Sequence, residues 1–131
     1  MTKIADAGLA TEGERNFKWA KAHMGALTLL AAKYAKERPL EGARLGICLH
    51  VTKETSVLVD ALLGAGAEVH LAGANPLSTQ DDVAAYIATK AQVWAWRGQT
   101  VEEYNWCIGK DRKSTRLNSS HSRASRMPSS A

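Results

Sequence analysis

The densest group of reactive side chains in this sequence is Leu49-His50-Val51-Thr52-Lys53-Glu54-Thr55. His50 supplies an ionisable imidazole ring, Thr52 and Thr55 supply hydroxyls that both donate and accept, and Glu54 supplies an acceptor-only carboxylate. The group falls where an apolar run ends and a helical pattern begins. A helix start presents amide N–H groups without intrahelical partners, so the cluster suits a small polar ligand bearing both donors and acceptors. The same residues admit a structural reading, in which Thr52 caps the helix and Glu54 favours its dipole. Spacing alone leaves both open. A second cluster, Ser78-Thr79-Gln80-Asp81-Asp82, reads the same two ways. Thr79 or Ser78 can cap a helix with acidic residues in its first turn, or Ser78 and Gln80 can line the crevice that His50 faces. His23 and His70 read as structural.

The elements that must position these clusters follow from periodicity. Glu12 to Arg38 carries Phe17, Ala20, Met24, Leu27, Leu30 and Tyr34 at helical spacing, and Pro39 stops it, which predicts one long N-terminal helix. Ala43–Leu49, Ala67–Ala72 and Gln92–Trp96 are short apolar runs that predict buried strands. Between them lie helical patterns from Thr52 or Lys53 to about Leu63 and from Gln80 to about Lys90. A last one, capped by Thr100, runs to about Ile108. Strand–helix alternation with short links predicts an α/β fold, a Rossmann-like three-layer arrangement of a parallel sheet with flanking helices. Ligands of such sheets sit beyond the carboxyl ends of the strands, here His50-Val51-Thr52, Gly73-Ala74-Asn75-Pro76 and Arg97-Gly98.

Composition narrows the function class. The net charge of +4 resides wholly in residues 111–131, since residues 1–110 carry 12 Lys/Arg against 12 Asp/Glu. No basic face for nucleic acid is therefore expected. No apolar run approaches the roughly 20 residues that span a bilayer, and no secretory h-region opens the chain, so a cytoplasmic location is expected. Cys48 lies in an apolar run and Cys107 in an amphipathic segment, and both read as buried thiols; with no ligand spacing between them, no metal is expected. Trp94, Trp96, Tyr104 and Trp106 read as packing aromatics.

Residues 111–131, DRKSTRLNSSHSRASRMPSSA, break with everything before them. Seven of the 21 are serine and no apolar period survives, the composition of a disordered basic tail. Asp111–His121 is also what a common short-read sequencing adapter encodes, and Ser125–Ala131 is what its downstream constant block encodes. Ser122-Arg123-Ala124 falls where a sample index would lie. The segment is expected to be non-native, with the natural sequence continuing past Lys110.

ATEGERNFKWAKAHM, LHVTKET at 49–55, NPLSTQDDVAA at 75–85, WAWRG at 94–98 and EEYNWCI at 102–108 together resemble the N-terminal region of S-adenosyl-L-homocysteine hydrolases. The resemblance runs in order from about Asp6 to Ile108, and motifs in register over that length are highly specific. It departs at Gly25, where the family usually has proline, a difference that concerns helix packing or bend.

The resemblance implies that residues 1–110 are the front of a substrate-binding domain. Family members reversibly hydrolyse S-adenosylhomocysteine to adenosine and homocysteine, using bound NAD to oxidise and later reduce the 3′ carbon around the elimination. By position, Thr52, Glu54 and Thr55 would face the adenine, and His50 would move a proton near the 5′ carbon. Ser78 and Gln80 would lie close by. The aspartate that partners the histidine, the residues that handle the ribose, and the Gly-rich NAD loop have no counterpart in this chain, so the fragment alone is expected to be inactive. The complete enzyme is expected to form a homo-tetramer. A non-catalytic paralogue that binds adenosine-like ligands is the alternative.

Overall fold

The structure is a computed structural model that describes residues 2–113 and 117–118, with side chains described for 2–110. Five strands form one parallel sheet in the order β1-β4-β3-β2-β5: β1 Lys3–Ile4, β2 Arg44–Leu49, β3 Glu68–Gly73, β4 Gln92–Ala95 and β5 Leu117–Asn118. The three strands expected from apolar runs are its centre. β1 is too short to carry a period, and it adds to the sheet edge through the pairs Lys3–Trp94 and Ile4–Ala95. Of the expected tail, residues 111–113 continue the last helix and Leu117–Asn118 pair with β2; the rest lies outside the described residues.

Register explains the layering. Alternate strand residues face opposite sides. Ile47, Val69, Leu71, Val93 and Ala95 turn to one side and meet Val59, Val83, Ala84 and Ile87 in the main core. The latter come from α3 (Lys53–Gly64) and α4 (Asp81–Ile87). Cys48, His70 and Trp94 belong to the other side, which α5 (Val101–Lys113) covers. Thr100 caps α5 as expected and does so reciprocally: its Oγ1 accepts from Glu103 N–H at 3.1 Å, and Glu103 Oε1 accepts from Thr100 N–H at 2.8 Å.

The expected single N-terminal helix comes as two, α1 (Ala10–Ala22) and α2 (Gly25–Glu37), after a short 3-10 turn at Ala7–Leu9. The break has a local cause. His23 and Met24 leave helical geometry, with Met24 at φ −121° and ψ 63°, and their N–H groups bond back to Ala20 and Lys21 carbonyls. Gly25 is thus the first residue of a new helix. α1 buries Phe17 and Ala20 against Val57 of α3, with Tyr86 packed alongside. α2 buries nothing fully; Met24, Leu27 and Tyr34 of the expected stripe are partly buried, whereas Leu30 is 48% exposed and Ala31 takes the inward place. α2 ends at Arg38 in the left-handed region, followed by Pro39. α4 stops at Ile87, short of the expected Lys90.

Gly13 sets how closely α1 lies on α4. A Cβ there would sit 1.9 Å from the Asp82 carbonyl oxygen and 2.8 Å from Tyr86 Cβ. Only glycine allows this approach. Asn16, one turn on, donates to Asp82 Oδ2 at 2.6 Å and ties the two helices at the end nearest the loops.

Candidate functional site

The carboxyl ends of β2 and β3 converge through backbone and side chain alike. β2 ends at Leu49, and His50 emerges exposed. Thr52 is extended, at φ −122° and ψ 172°, and stands in the N-cap position of α3, yet it makes no capping bond. Its hydroxyl lies instead 3.4 Å from that of Thr55, which donates to the His50 carbonyl at 2.5 Å. The capping service comes from 27 residues away: Gln80 Oε1 accepts the Lys53 N–H at 3.1 Å, and Gln80 N–H donates to the Val51 carbonyl at 2.9 Å. The structural reading of Thr52 as side-chain cap is therefore not realised. Glu54 does occupy the first turn of α3, exposed, where its charge complements the helix dipole and remains accessible.

Ser78 behaves likewise. Neither Ser78 nor Thr79 caps α4, whose N-cap is Gln80 without a side-chain bond. Ser78 Oγ lies 2.6 Å from His50 Nδ1, and Thr79 is fully buried against Gly73. His50, Ser78 and Gln80 are thus drawn into one corner, with Thr52 and Thr55 beside them and Glu54 on the adjoining turn. Asp81 and Asp82 also serve beyond the dipole: Asp81 Oδ1 accepts the Arg97 N–H at 2.9 Å, and Asp82 receives Asn16. A cavity of about 380 Å³ adjoins this corner, lined by Leu9, Asn16, Lys53, Thr79, Gln80 and their neighbours.

The loops expected at the strand ends are braced from behind, in a way that their residue order did not reveal. Asn75 Oδ1 accepts the Leu77 N–H at 2.7 Å, an Asx-type turn that an asparagine before proline signals. The Gly98 N–H donates to the Pro76 carbonyl at 2.8 Å, and Tyr104 Oη donates to the Ala74 carbonyl at 3.0 Å. Burial, and secondarily the Cys48 thiol, pushes the Tyr104 phenol up, which keeps it a donor. Cys48 and Cys107 are both buried, and neither enters a disulfide. Burial pushes the Cys107 thiol up to about 11.

His23, His70, Trp94 and Trp106 fall outside this corner. His70 is buried, stacked on Trp94, with Nε2 2.9 Å from Glu68 Oε1. That contact, then Arg44, holds the Glu68 carboxyl below the usual range. His23 lies on the surface against Trp19. Trp94 is buried, whereas Trp106 is 43% exposed beneath Lys3 and Lys110. A larger cavity, about 890 Å³, lies at the opposite end of the strands, where Arg44, Glu68, His70 and Gln92 line it; it shares no residue with the His50 corner. No helix among the described residues is long and apolar enough to cross a membrane.

These residues do not fit a dinucleotide cofactor. The β2–α3 turn contains no glycine to let a pyrophosphate approach the backbone, and the first amide of α3 is already taken by Gln80.

A family model described as S-adenosyl-L-homocysteine hydrolase matches residues 1–123. The chain is 51% identical over 107 residues to an adenosylhomocysteinase of Aeropyrum pernix, which covers 81% of this chain and 26% of that protein. It is 49% identical over 105 residues to an S-inosyl-L-homocysteine hydrolase of Methanocaldococcus jannaschii (79% and 25%) and 48% identical over 107 residues to an adenosylhomocysteinase of Acinetobacter baylyi (81% and 23%). The chain thus spans about a quarter of the length of these relatives. With a family model matched over nearly the whole chain and relatives about half identical to it, the chain belongs to the S-adenosyl-L-homocysteine hydrolase family.

Proposed function

We propose that the His50 corner is one wall of a nucleoside pocket, and that the complete protein reversibly hydrolyses S-adenosyl-L-homocysteine to adenosine and L-homocysteine in the methyl cycle of one-carbon metabolism. The observation that carries this reading is the convergence of His50, Lys53, Ser78 and Gln80 from two loops 28 residues apart, by the His50–Ser78 and Lys53–Gln80 contacts. Thr52 offers a hydroxyl to a ring nitrogen, and Thr55, whose proton goes to the His50 carbonyl, presents an oxygen that can accept. The exposed Glu54 carboxylate accepts from an exocyclic amine, which favours a 6-amino purine over a 6-oxo one. This matters because relatives of nearly equal similarity carry adenosyl and inosyl names. His50 serves as the proton-transfer group beside the 5′ carbon.

NAD would be the cofactor, held by parts of the longer protein, since the residues present do not fit it. The partners of this chain's segment are small molecules, S-adenosylhomocysteine and adenosine, in a cytoplasmic homo-tetramer. Residues 1–110 would be the N-terminal part of the substrate-binding domain and 111–131 a non-native tail.

Adenosine titrated into the ¹⁵N-labelled 131-residue chain tests the pocket. Weak, saturable shifts confined to residues 50–55 and 78–80, smaller with inosine, are expected. Shifts centred on the Arg44–Gln92 cavity, or none in a chain that is folded, would remove the corner from the binding site.

A further inference from the structure

We propose that Ser78 is a positioning residue that holds the His50 imidazole as its Nδ1–H tautomer, making Nε2 the nitrogen that carries the lone pair; its bearing on turnover rests on the reading of His50 above. Among the described residues, Ser78 Oγ has two hydrogen-bond neighbours, His50 Nδ1 at 2.6 Å and the Asn75 carbonyl oxygen at 3.2 Å. A serine hydroxyl has a single proton, and a carbonyl oxygen can only accept. If the proton went to Nδ1, two oxygens with facing lone pairs would be left 3.2 Å apart. If it goes to Asn75, both contacts are satisfied: Ser78 O–H donates to the carbonyl, and Nδ1–H donates to Ser78 Oγ. Proton accounting thus selects the tautomer.

Both partners are anchored, so the selection is not lost to loop motion. The Asn75 side chain accepts the Leu77 N–H at 2.7 Å, its carbonyl also accepts the Ser78 N–H at 3.3 Å, and Gly98 clamps Pro76. On the other side the His50 carbonyl is held by Thr55 Oγ1 at 2.5 Å. In a proton-transfer cycle, Nε2 takes a proton to give an imidazolium with both N–H groups. Nδ1–H stays on Ser78, and Nε2 returns the proton, so no net proton is gained. A ring fixed in the other tautomer would present N–H where a base is needed, the kind of error that costs orders of magnitude in rate.

The test is the ring ¹⁵N pattern of His50 in the 131-residue chain, read by long-range ¹H–¹⁵N correlation above the pH of ring protonation. The expected result is a protonated-type shift at Nδ1 and an unprotonated-type shift at Nε2. Ser78→Ala should move the ring toward Nε2–H, and Ser78→Thr, which keeps the hydroxyl, should restore the original pattern. An Nε2–H ring in the unmutated chain overturns the proposal without any variant. So does a Ser78→Ala chain with the tautomer unchanged. A separate arm places residues 1–108 in the intact Aeropyrum pernix relative. There Ser78→Ala should lower kcat roughly tenfold or more with KM within about twofold, and Ser78→Thr should recover it. If the tautomer shifts as expected but kcat does not move, the proton-transfer reading of His50 fails while the positioning by Ser78 stands.

Discussion

Gly13→Ala places two physical effects in direct opposition. Gly13 lies inside α1, where alanine is favoured over glycine by about 1 kcal/mol. Against this, the new Cβ would lie 1.9 Å from the Asp82 carbonyl oxygen and 2.6 Å from its carbonyl carbon. These are backbone atoms, so no rotamer change relieves the contact, and α1 must retreat by roughly 1 Å or more to reach van der Waals separation. Overpacking of this kind costs about 1–3 kcal/mol. The retreat also stretches the 2.6 Å Asn16–Asp82 bond and the Phe17–Tyr86 ring contact at 4.9 Å, and a hydrogen bond to a charged group is worth about 1.5–3 kcal/mol, less when part-exposed. The sum is a net loss of about 2–3 kcal/mol, which lowers Tm by roughly 10 °C or more for a domain of this size. Thermal unfolding followed by circular dichroism measures it. Gly109→Ala is the matched control, since it is also helical and a Cβ there meets nothing within 4 Å; it should hold or raise Tm. A Gly13→Ala chain as stable as the original, or more so, would refute the close-approach argument and leave helix propensity in charge.

Gly25→Pro should raise stability by about 0.4–1 kcal/mol, because proline suits the first position of α2 and stiffens the unfolded chain. Nothing stands within 4 Å of a Cβ there; a lower urea midpoint would contradict it. For Cys107, burial lifts the thiol to about 11, against about 8.5 in the unfolded chain. The folded state therefore keeps a proton that the unfolded state releases, so stability is intact below the unfolded value and falls as pH rises through that window. Denaturant midpoints from neutral to alkaline pH should show the decline, and Cys107→Ala should flatten it. A last prediction concerns activity: the 131-residue chain supplied with NAD and S-adenosylhomocysteine should show no turnover and no NAD retention, because the residues present do not fit the dinucleotide. Measurable adenosine release would overturn that.

Much of the architecture was legible because it is written in local patterns. The runs at 43–49, 67–72 and 92–96 are apolar for the length of a buried strand, and the intervening segments change to a helical period; that alternation leaves a parallel sheet as the simplest outcome. The cap at Thr100 needed only Glu103, three residues away. The strand-end rule likewise pointed to His50-Val51-Thr52, Gly73-Ala74-Asn75-Pro76 and Arg97-Gly98 from residue order alone. Where local reading failed, the deciding contact was distant. Thr52 looked like the cap of α3, but Gln80 performs that task across 27 positions. Ser78 looked like a cap of α4, but its hydroxyl goes to His50, 28 positions back. The helical stripe from Phe17 to Tyr34 gave no sign of the break at His23 and Met24, because apolar residues continue through it. A glycine's sequence context does not reveal that Asp82, 69 positions later, will press its backbone against Gly13. Secondary structure rests on neighbours a few residues apart, which the chain order specifies directly. Which hydroxyl meets which ring depends on how the loops are brought together once the sheet has closed, and only the tertiary structure decides that.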